Sequence, residues 1–142
     1  MTSTPVLAAL AGRDCGSAAP VLIEEFRKAS DPAGTGLGWV IGNALSVVAD
    51  DSVFDQIAEL AQDRRYGRAR QMIVWGLGRS KDPRAVPLLA GLLDDQDVTA
   101  HAVIALGKLR PAGVRPSVER LLDHPQAIVR RAAKKALARL PP

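Results

Sequence analysis

The chain has 142 residues, of which 47% are apolar and only 4% aromatic, and it contains a single cysteine. This length suits one compact domain, and an apolar content carried mainly by Ala and Leu favours packed helices over a β-sandwich. One cysteine excludes an intramolecular disulfide, and the N-terminal apolar stretch at residues 5–12 is too short for a membrane span or a signal peptide, so we expect a cytoplasmic protein with no membrane association.

The net charge of +4 is unevenly distributed along the chain. Residues 1–63 hold 3 Lys and Arg against 9 Asp and Glu, a net of −6, whereas residues 64–142 hold 16 against 6, a net of +10. Such polarity influences which partners each part of the chain attracts, but it says little about the fold.

The first predicted elements are helices at residues 5–12 and 19–29, which we expect to form an N-terminal cap within residues 1–35. Cys15 lies between these two helices. No histidine is close to it in sequence, so an incidental role is favoured over that of a nucleophile.

A glycine-rich segment, DPAGTGLGWVIGNAL, follows at residues 31–45. A dinucleotide fingerprint needs G-x-G-x-x-G directly after a β-strand. Neither Gly34-x-Gly36 nor Gly36-x-Gly38 has the third glycine at the required distance, and the residues upstream predict a helix. We therefore interpret the segment as a linker before a helix whose N-terminus holds an anion only weakly.

From residue 36 onwards the sequence repeats with a period of about 30 residues. A shift of 29 aligns the segments that begin at Leu77 and Leu106, so that Gly78 matches Gly107. Shifts of 31 and 32 relate the segments after and before this pair. Each period predicts two helices, and the predicted helices span residues 36–48, 52–63, 67–79, 83–94, 98–109, 113–123 and 126–140.

The first helix of each period carries a small residue followed by leucine, as in Ala44-Leu45, Gly76-Leu77, Ala105-Leu106 and Ala136-Leu137. We expect the small residue to let a neighbouring helix approach closely, and we expect Leu77 and Leu106 to be buried. Before the second helix, Asp82-Pro83 predicts an N-cap followed by proline at the first helical position.

These units resemble HEAT-like repeats of the short phycobilisome-lyase type. The resemblance rests on an amphipathic helix that ends in small-Leu-Gly, a turn with Asp-Pro, and the run AVPLLAGLLDD from residue 85. It implies an all-α, right-handed α-solenoid of about four helix pairs and a terminal helix. We expect residues 1–142 to form one such domain, with the repeats over residues 36–140 and the second helices along the concave face.

The resemblance makes the concave face the expected binding surface for a protein partner. Leu88 on an outward position and a glycine inside a helix are hard to explain by local stability, because glycine costs about 1 kcal/mol there relative to alanine. The residues predicted to contact a partner are Asp55, Gln56, Glu59, Leu88, Gly91, Ser117 and Arg120.

Basic residues form a second candidate surface in the C-terminal half. Some lie in the turns inside the repeats and others on the last helix, where a solvated polar cap is the simpler interpretation. The candidate set is Arg79, Lys81, Arg84, Lys108, Arg110, Arg130, Arg131, Lys134, Lys135 and Arg139.

Three further side chains suit local roles better than chemical ones. His101 takes a first-helix position that other repeats fill with apolar residues, so packing is favoured. His124 lies at a helix end, where a positive charge suits the helix dipole. Trp75 is expected to pack between repeats rather than to act as a binding hot spot.

No constellation of catalytic, metal-ligating or cofactor-binding residues stands out in this sequence. We therefore expect a non-enzymatic module that binds a protein partner without a cofactor. Nucleic-acid binding through the basic C-terminal half is the alternative, by analogy with DNA glycosylases that resemble HEAT-like solenoids. A bilin lyase-like or other enzyme-associated role is a further alternative, suggested by the family resemblance alone.

Overall fold

The computed structural model describes residues 18–29 and 36–142, and Cys15 and the helix predicted at residues 5–12 lie outside these ranges. Helical turns hold 76% of the described residues and no strand is found among them, which confirms the predicted all-α class. The chain divides into two compact units, Met1–Ile73 and Val74–Pro142, so that the single domain predicted from the sequence stays a prediction.

The described part of the first unit contains three α-helices connected by 3₁₀ turns. Helix α1 packs against α2, and both α2 and α3 contact the 3₁₀ segment that follows α3. The three helices begin and end within two residues of their predicted bounds. They are α1 (Ala18–Ala29), α2 (Leu37–Val48) and α3 (Phe54–Gln62), with 3₁₀ turns at Asp51–Val53 and Arg64–Arg70.

Close packing around α2 explains one glycine of the glycine-rich segment. A Cβ atom on Gly42 would lie 2.9 Å from the carbonyl oxygen of Ala69 and 3.4 Å from the ring of Phe26. Phe26 is completely buried, and its ring meets that of Tyr66 edge to face, with the ring centroids 5.1 Å apart. Gly42 therefore serves helix packing.

At the start of the same helix, Gly36 has a φ of 85°, which favours glycine over other residues.

The second unit continues the alternation of first and second helices. Its α-helices are shorter than predicted, because several of them end in a 3₁₀ turn. The helices are α4 (Gln71–Gly76), which begins before the unit boundary, α5 (Ala85–Gly91), α6 (Thr99–Leu109), α7 (Arg115–Glu119) and α8 (Ala127–Leu137), with 3₁₀ turns at Leu77–Arg79 and Arg120–Asp123.

The helix predicted at residues 67–79 is wrong at its N-terminal end. Gly67 has φ 52° and ψ −133°, a conformation that no helix accepts, so residues 64–70 form only 3₁₀ turns and the α-helix begins at Gln71. The side chain of Arg70 is completely buried at this junction. It donates hydrogen bonds to the carbonyl oxygens of Ala61 at 2.9 Å and Gly67 at 2.8 Å, which satisfies backbone groups that the irregular turn leaves open.

Consecutive first helices of the second unit meet through glycine and alanine. A Cβ atom on Gly78 would lie 3.0 Å from Cα of Ala105, and a Cβ atom on Gly107 would lie 3.2 Å from Cα of Ala136. These two contacts occupy equivalent positions in adjacent repeats, as the predicted role of the small residues requires. Leu77 and Leu106, beside the glycines, are 4% and 0% exposed, which confirms their predicted burial.

A side-chain acceptor caps the turns between helices at repeat-related positions. In each case an Asp oxygen accepts a hydrogen bond from the backbone N–H two residues ahead, at distances of 2.9–3.3 Å. The acceptors are Asp50, Asp63, Asp82 and Asp95. Asp63 and Asp82 are also paired with Arg65 and Arg84, and these hydrogen bonds hold the pKa of each carboxyl below its ordinary value.

One prediction about a helix cap is corrected by this pattern. Asp82 caps a turn that precedes helix α5, which begins at Ala85, so Pro83 is not the first helical residue. His124 takes the place of an aspartate: its Nδ1 atom accepts a hydrogen bond from the backbone N–H of Gln126 at 3.1 Å. The favourable role of a positive charge at this helix end stays a prediction.

We predict that Gly78→Ala and Gly91→Ala change stability in opposite directions. The new methyl group at position 78 meets the backbone of Ala105, and such overpacking costs about 1–3 kcal/mol. At position 91 nothing lies within 4 Å of the added Cβ, so the variant gains up to about 1 kcal/mol of helix propensity. Denaturant unfolding of both variants measures the difference. Equal stabilities would contradict the close contact between the helices.

We also predict that stability decreases as the pH falls below the ordinary His101 pKa of 6.5. Burial lowers the pKa of His101, so the unfolded chain binds more protons than the folded chain between the two pKa values, and acid favours unfolding. The variant His101→Met, which places the residue of position 72 in the equivalent slot, should show a smaller loss over this range. Unfolding midpoints at several pH values provide the measurement, and identical pH profiles would exclude His101 as the cause.

Candidate binding surfaces

The first unit presents the predicted acidic contacts on the outer side of helix α3. Asp55, Gln56 and Glu59 are all exposed. The opposite side of the helix is apolar and buried, with Ile57 and Leu60 in the core. The sequence pattern thus predicted the exposed face of this helix, and a role of these side chains in binding stays a prediction.

The predicted contacts of the second unit lie on α5, on α7 and in the turn after α7. Gly91 and Arg120 are exposed, whereas Leu88 and Ser117 are half-buried. Leu88 is therefore less accessible than its outward position predicted, because one side of its chain packs within the unit. Among the described residues, no heavy atom lies within 4 Å of a Cβ placed on Gly91, so packing in this part of the chain does not require glycine there.

Arg79, Lys108 and Arg139 form a group of cations, here called the cation column. They occupy one repeat position, 29 and 31 residues apart, at or just beyond the C-terminal ends of three successive first helices. Burial lowers the pKa of Lys108, and the positive charges of Arg79 and Arg139 lower it further, which places both guanidinium groups within electrostatic range. Within the described part of the chain, no member of the column forms an ion pair.

Trp75 holds the central cation of the column. The Nζ atom of Lys108 lies over the Trp75 ring, 3.4 Å from its centroid, in a cation–π contact. The Lys108 chain reaches the ring across Gly78, because its Cδ atom lies only 3.2 Å from where a Cβ of that glycine would be. Trp75 is thus half-buried beneath a charged side chain, and this ring position orients Lys108 as well as packing the repeat.

The other predicted basic residues do not share one environment. Arg84 pairs with Asp82 at 2.8 Å, and Nη1 of Arg130 donates hydrogen bonds to the carbonyl oxygens of His124 and Pro125 at 2.7 and 2.9 Å. These two have structural roles. The remaining members, all exposed, are Lys81, Arg110, Arg131, Lys134 and Lys135.

Arg115 stabilises the C-terminal end of helix α8. Its Nη1 atom donates hydrogen bonds to the carbonyl oxygens of Leu137 and Leu140, each at 3.1 Å. Leu137 is the last residue of α8 and Leu140 lies three residues beyond it, so Arg115 supplies a donor where the helix itself supplies none, and a cation also suits the negative end of the helix dipole. Arg115 lies 22 and 25 residues before its two acceptors, so the sequence pattern alone did not predict these contacts.

The described residues contain no group of three or more His, Cys, Asp or Glu side chains that could hold a metal ion. Across the same part of the chain, no helix combines the length and the apolar character that a membrane span requires.

Comparison with known proteins supports the repeat. Residues 69–95 match the family described as PBS lyase HEAT-like repeat, which confirms the resemblance predicted for this segment. The chain is also similar to the uncharacterized phycocyanin operon protein Z of Pseudanabaena tenuis, with 37% identity over 73 residues. That match covers 50% of this chain and 36% of the relative, so the chain spans about a third of the relative's length. No solved structure matches the chain significantly.

We predict that Arg79→Gln and Arg139→Gln each raise the pKa of Lys108. Each change removes a nearby positive charge, and the protonated ammonium then costs less to form. Lys135→Gln serves as the control, since Lys135 does not contribute to the shift. Titration of the lysine Nζ signals by NMR measures the three values. A Lys108 pKa that responds equally to all three changes would show a general charge effect and not a local column.

Proposed function

We propose that this chain is a non-enzymatic HEAT-like repeat module that binds a protein partner. Its helix pairs stack as a right-handed α-solenoid, and the partner lies against the outer surface of the second helices. The observation that carries the proposal is Gly91, an exposed glycine on α5 for which the surrounding fold has no need.

Gly91 supports the proposal because packing among the described residues does not call for glycine at this position. Glycine in a helix costs up to about 1 kcal/mol relative to alanine, and the space around this position would accept a side chain. The absence of a side chain allows another backbone to approach the helix closely. Leu88, one turn earlier and half-exposed, supplies an apolar contact beside that approach.

The similarities favour a partner from a phycobilisome-related system. One segment matches a repeat named after a phycobilisome lyase, and the relative is named after a phycocyanin operon. A phycobilisome-related protein is therefore the first class of partner to test. A bilin lyase-like or enzyme-associated role remains the alternative that these names also allow, and the described site residues do not favour it.

Nucleic-acid binding is the second candidate function, and the cation column is the observation that favours it. Three cations that form no ion pair with any described carboxylate suit a chain of phosphates. Against it, the face of Trp75 is covered by Lys108 and is not free for a base to stack on.

We predict that Gly91→Glu abolishes partner binding and leaves the fold intact. The position is exposed and open, and glutamate is a good helix former, so stability should not fall. At the centre of an interface the same change buries a charge beside an apolar contact and should weaken binding at least about tenfold. The partner is captured on the immobilised chain, identified by mass spectrometry and then titrated against each variant.

Ala127→Glu is the matched control, because it adds the same charge at an exposed position of α8 that is not among the predicted partner contacts. Its affinity should equal that of the wild type. A partner that binds Gly91→Glu as tightly as the wild type does not use the second-helix surface. If Arg131→Glu with Lys135→Glu abolishes binding instead, the partner uses helix α8.

A further inference from the structure

We propose that the cation column of Arg79, Lys108 and Arg139 is a separate binding site for an acidic segment of a partner protein, whose Asp and Glu carboxylates it receives one per repeat. The proposal rests on the proposed function in so far as the chain is a binding module. It concerns a different surface, formed by the C-terminal ends of first helices.

The repeat itself spaces the three cations. They directly follow Gly78, Gly107 and Ala138, which share one repeat position, and the two glycines make the close contacts between neighbouring first helices. Packed helices lie about 8–10 Å apart, which sets the spacing of the backbone positions that carry the three side chains. An extended chain advances this distance in about three residues, which lets a short acidic segment place carboxylates at successive cations.

Lys108 is held in place before any ligand arrives. Its ammonium group is seated over Trp75, and its aliphatic chain crosses the gap that Gly78 leaves open. A free surface lysine loses rotamer entropy when it binds, whereas an ordered one loses less. The flanking arginines add planar groups that bind carboxylates through two parallel hydrogen bonds.

A bound anion would reduce the repulsion among the like charges of the column. Arg79 and Arg139 each act electrostatically on Lys108, and among the described residues no carboxylate forms an ion pair with any of the three cations. The negative ends of the adjacent helices offset part of this repulsion, which gives the column a structural benefit as well. Each cation would gain this stabilisation from its own helix end. The stabilisation therefore does not explain why Lys108 is held on the ring of Trp75.

Carboxylates fit this site better than the phosphates of a nucleic acid. Single strands are held by aromatic side chains on which bases stack, and here the ring of Trp75 is covered. Three cations also neutralise at most about three phosphates, which yields only weak, salt-sensitive binding to a duplex. An acidic peptide needs no stacking surface and matches the site with a few side chains.

The test measures binding of fluorescein-labelled decaglutamate by fluorescence anisotropy at about 50 mM salt, where electrostatic contacts are weakly screened. Arg79→Gln with Arg139→Gln removes two charges of the column and leaves the Lys108–Trp75 contact in place. Arg131→Gln with Lys135→Gln removes the same charge from exposed positions of α8. Circular dichroism and thermal unfolding verify the fold of both double variants.

We expect the column variant to weaken decaglutamate binding about tenfold or more, and the α8 variant to weaken it less than about threefold. Equal losses in the two variants would overturn the proposal, since they indicate attraction by net charge alone. If the column variant is less stable but binds decaglutamate as tightly as the wild type, the cations only stabilise the helix ends and the proposal is wrong. No binding of decaglutamate to the wild type, or tighter binding of decathymidylate, would also overturn it.

The variant Gly91→Glu separates this site from the second-helix surface. It should bind decaglutamate like the wild type, because position 91 is not part of the column. If decaglutamate binding follows the column while no partner responds to Gly91→Glu, the proposed function fails and the acidic-segment site stands. If instead a partner responds to Gly91→Glu and decaglutamate binding does not depend on the column, the acidic-segment site is wrong and the proposed function stands.

Discussion

The contact between glycine of one first helix and alanine of the next is the constraint on which the second unit depends. Gly78 meets Ala105 and Gly107 meets Ala136 at distances so short that an added methyl group would displace the neighbouring helix. At this separation Leu77 and Leu106 are removed almost completely from solvent, and each such burial is worth about 1.5–3 kcal/mol. A wider spacing would expose the leucines and leave voids between the helices.

The same contact also positions the charges. Arg79 and Lys108 come one residue after the contact glycines, so the close helix packing sets the spacing of the cation column. Gly78 has a second effect: because it has no side chain, the aliphatic chain of Lys108 can pass over it and reach the ring of Trp75. Packing and surface chemistry are therefore coupled at this glycine, and a substitution there would disturb both.

The helical fold was largely predictable, since small-Leu-Gly and the leucines recur at a fixed period and periodicity is the strongest signal in a single sequence. The helix start near Gly67 was not predictable, because glycine is also common inside these helices and only its backbone angles reveal the break. The cap at His124 was missed for a different reason: an imidazole nitrogen replaces a carboxylate oxygen as the acceptor, and the sequence shows only the position.

The candidate surfaces show a similar division. The exposed side of α3 followed from its amphipathic pattern, whereas the burial of one side of Leu88 depends on neighbours that the pattern does not define. The cation column was present among the predicted basic residues, but they were grouped by turns and by the last helix. Grouping by repeat position, with offsets of 29 and 31, would have placed Arg79, Lys108 and Arg139 together.

Because every contact of the glycine–alanine type joins only adjacent repeats, the number of repeats is not determined by the packing. A gene duplication that adds one complete helix pair would reproduce the same interface and extend the core without redesign. The offsets of 29, 31 and 32 residues show that length changes are confined to the turns, where insertions cost little loop entropy. Proteins built in this way can vary in length by whole units. Each added unit would contribute one more position equivalent to Lys108, and the residue at that position could be charged or neutral.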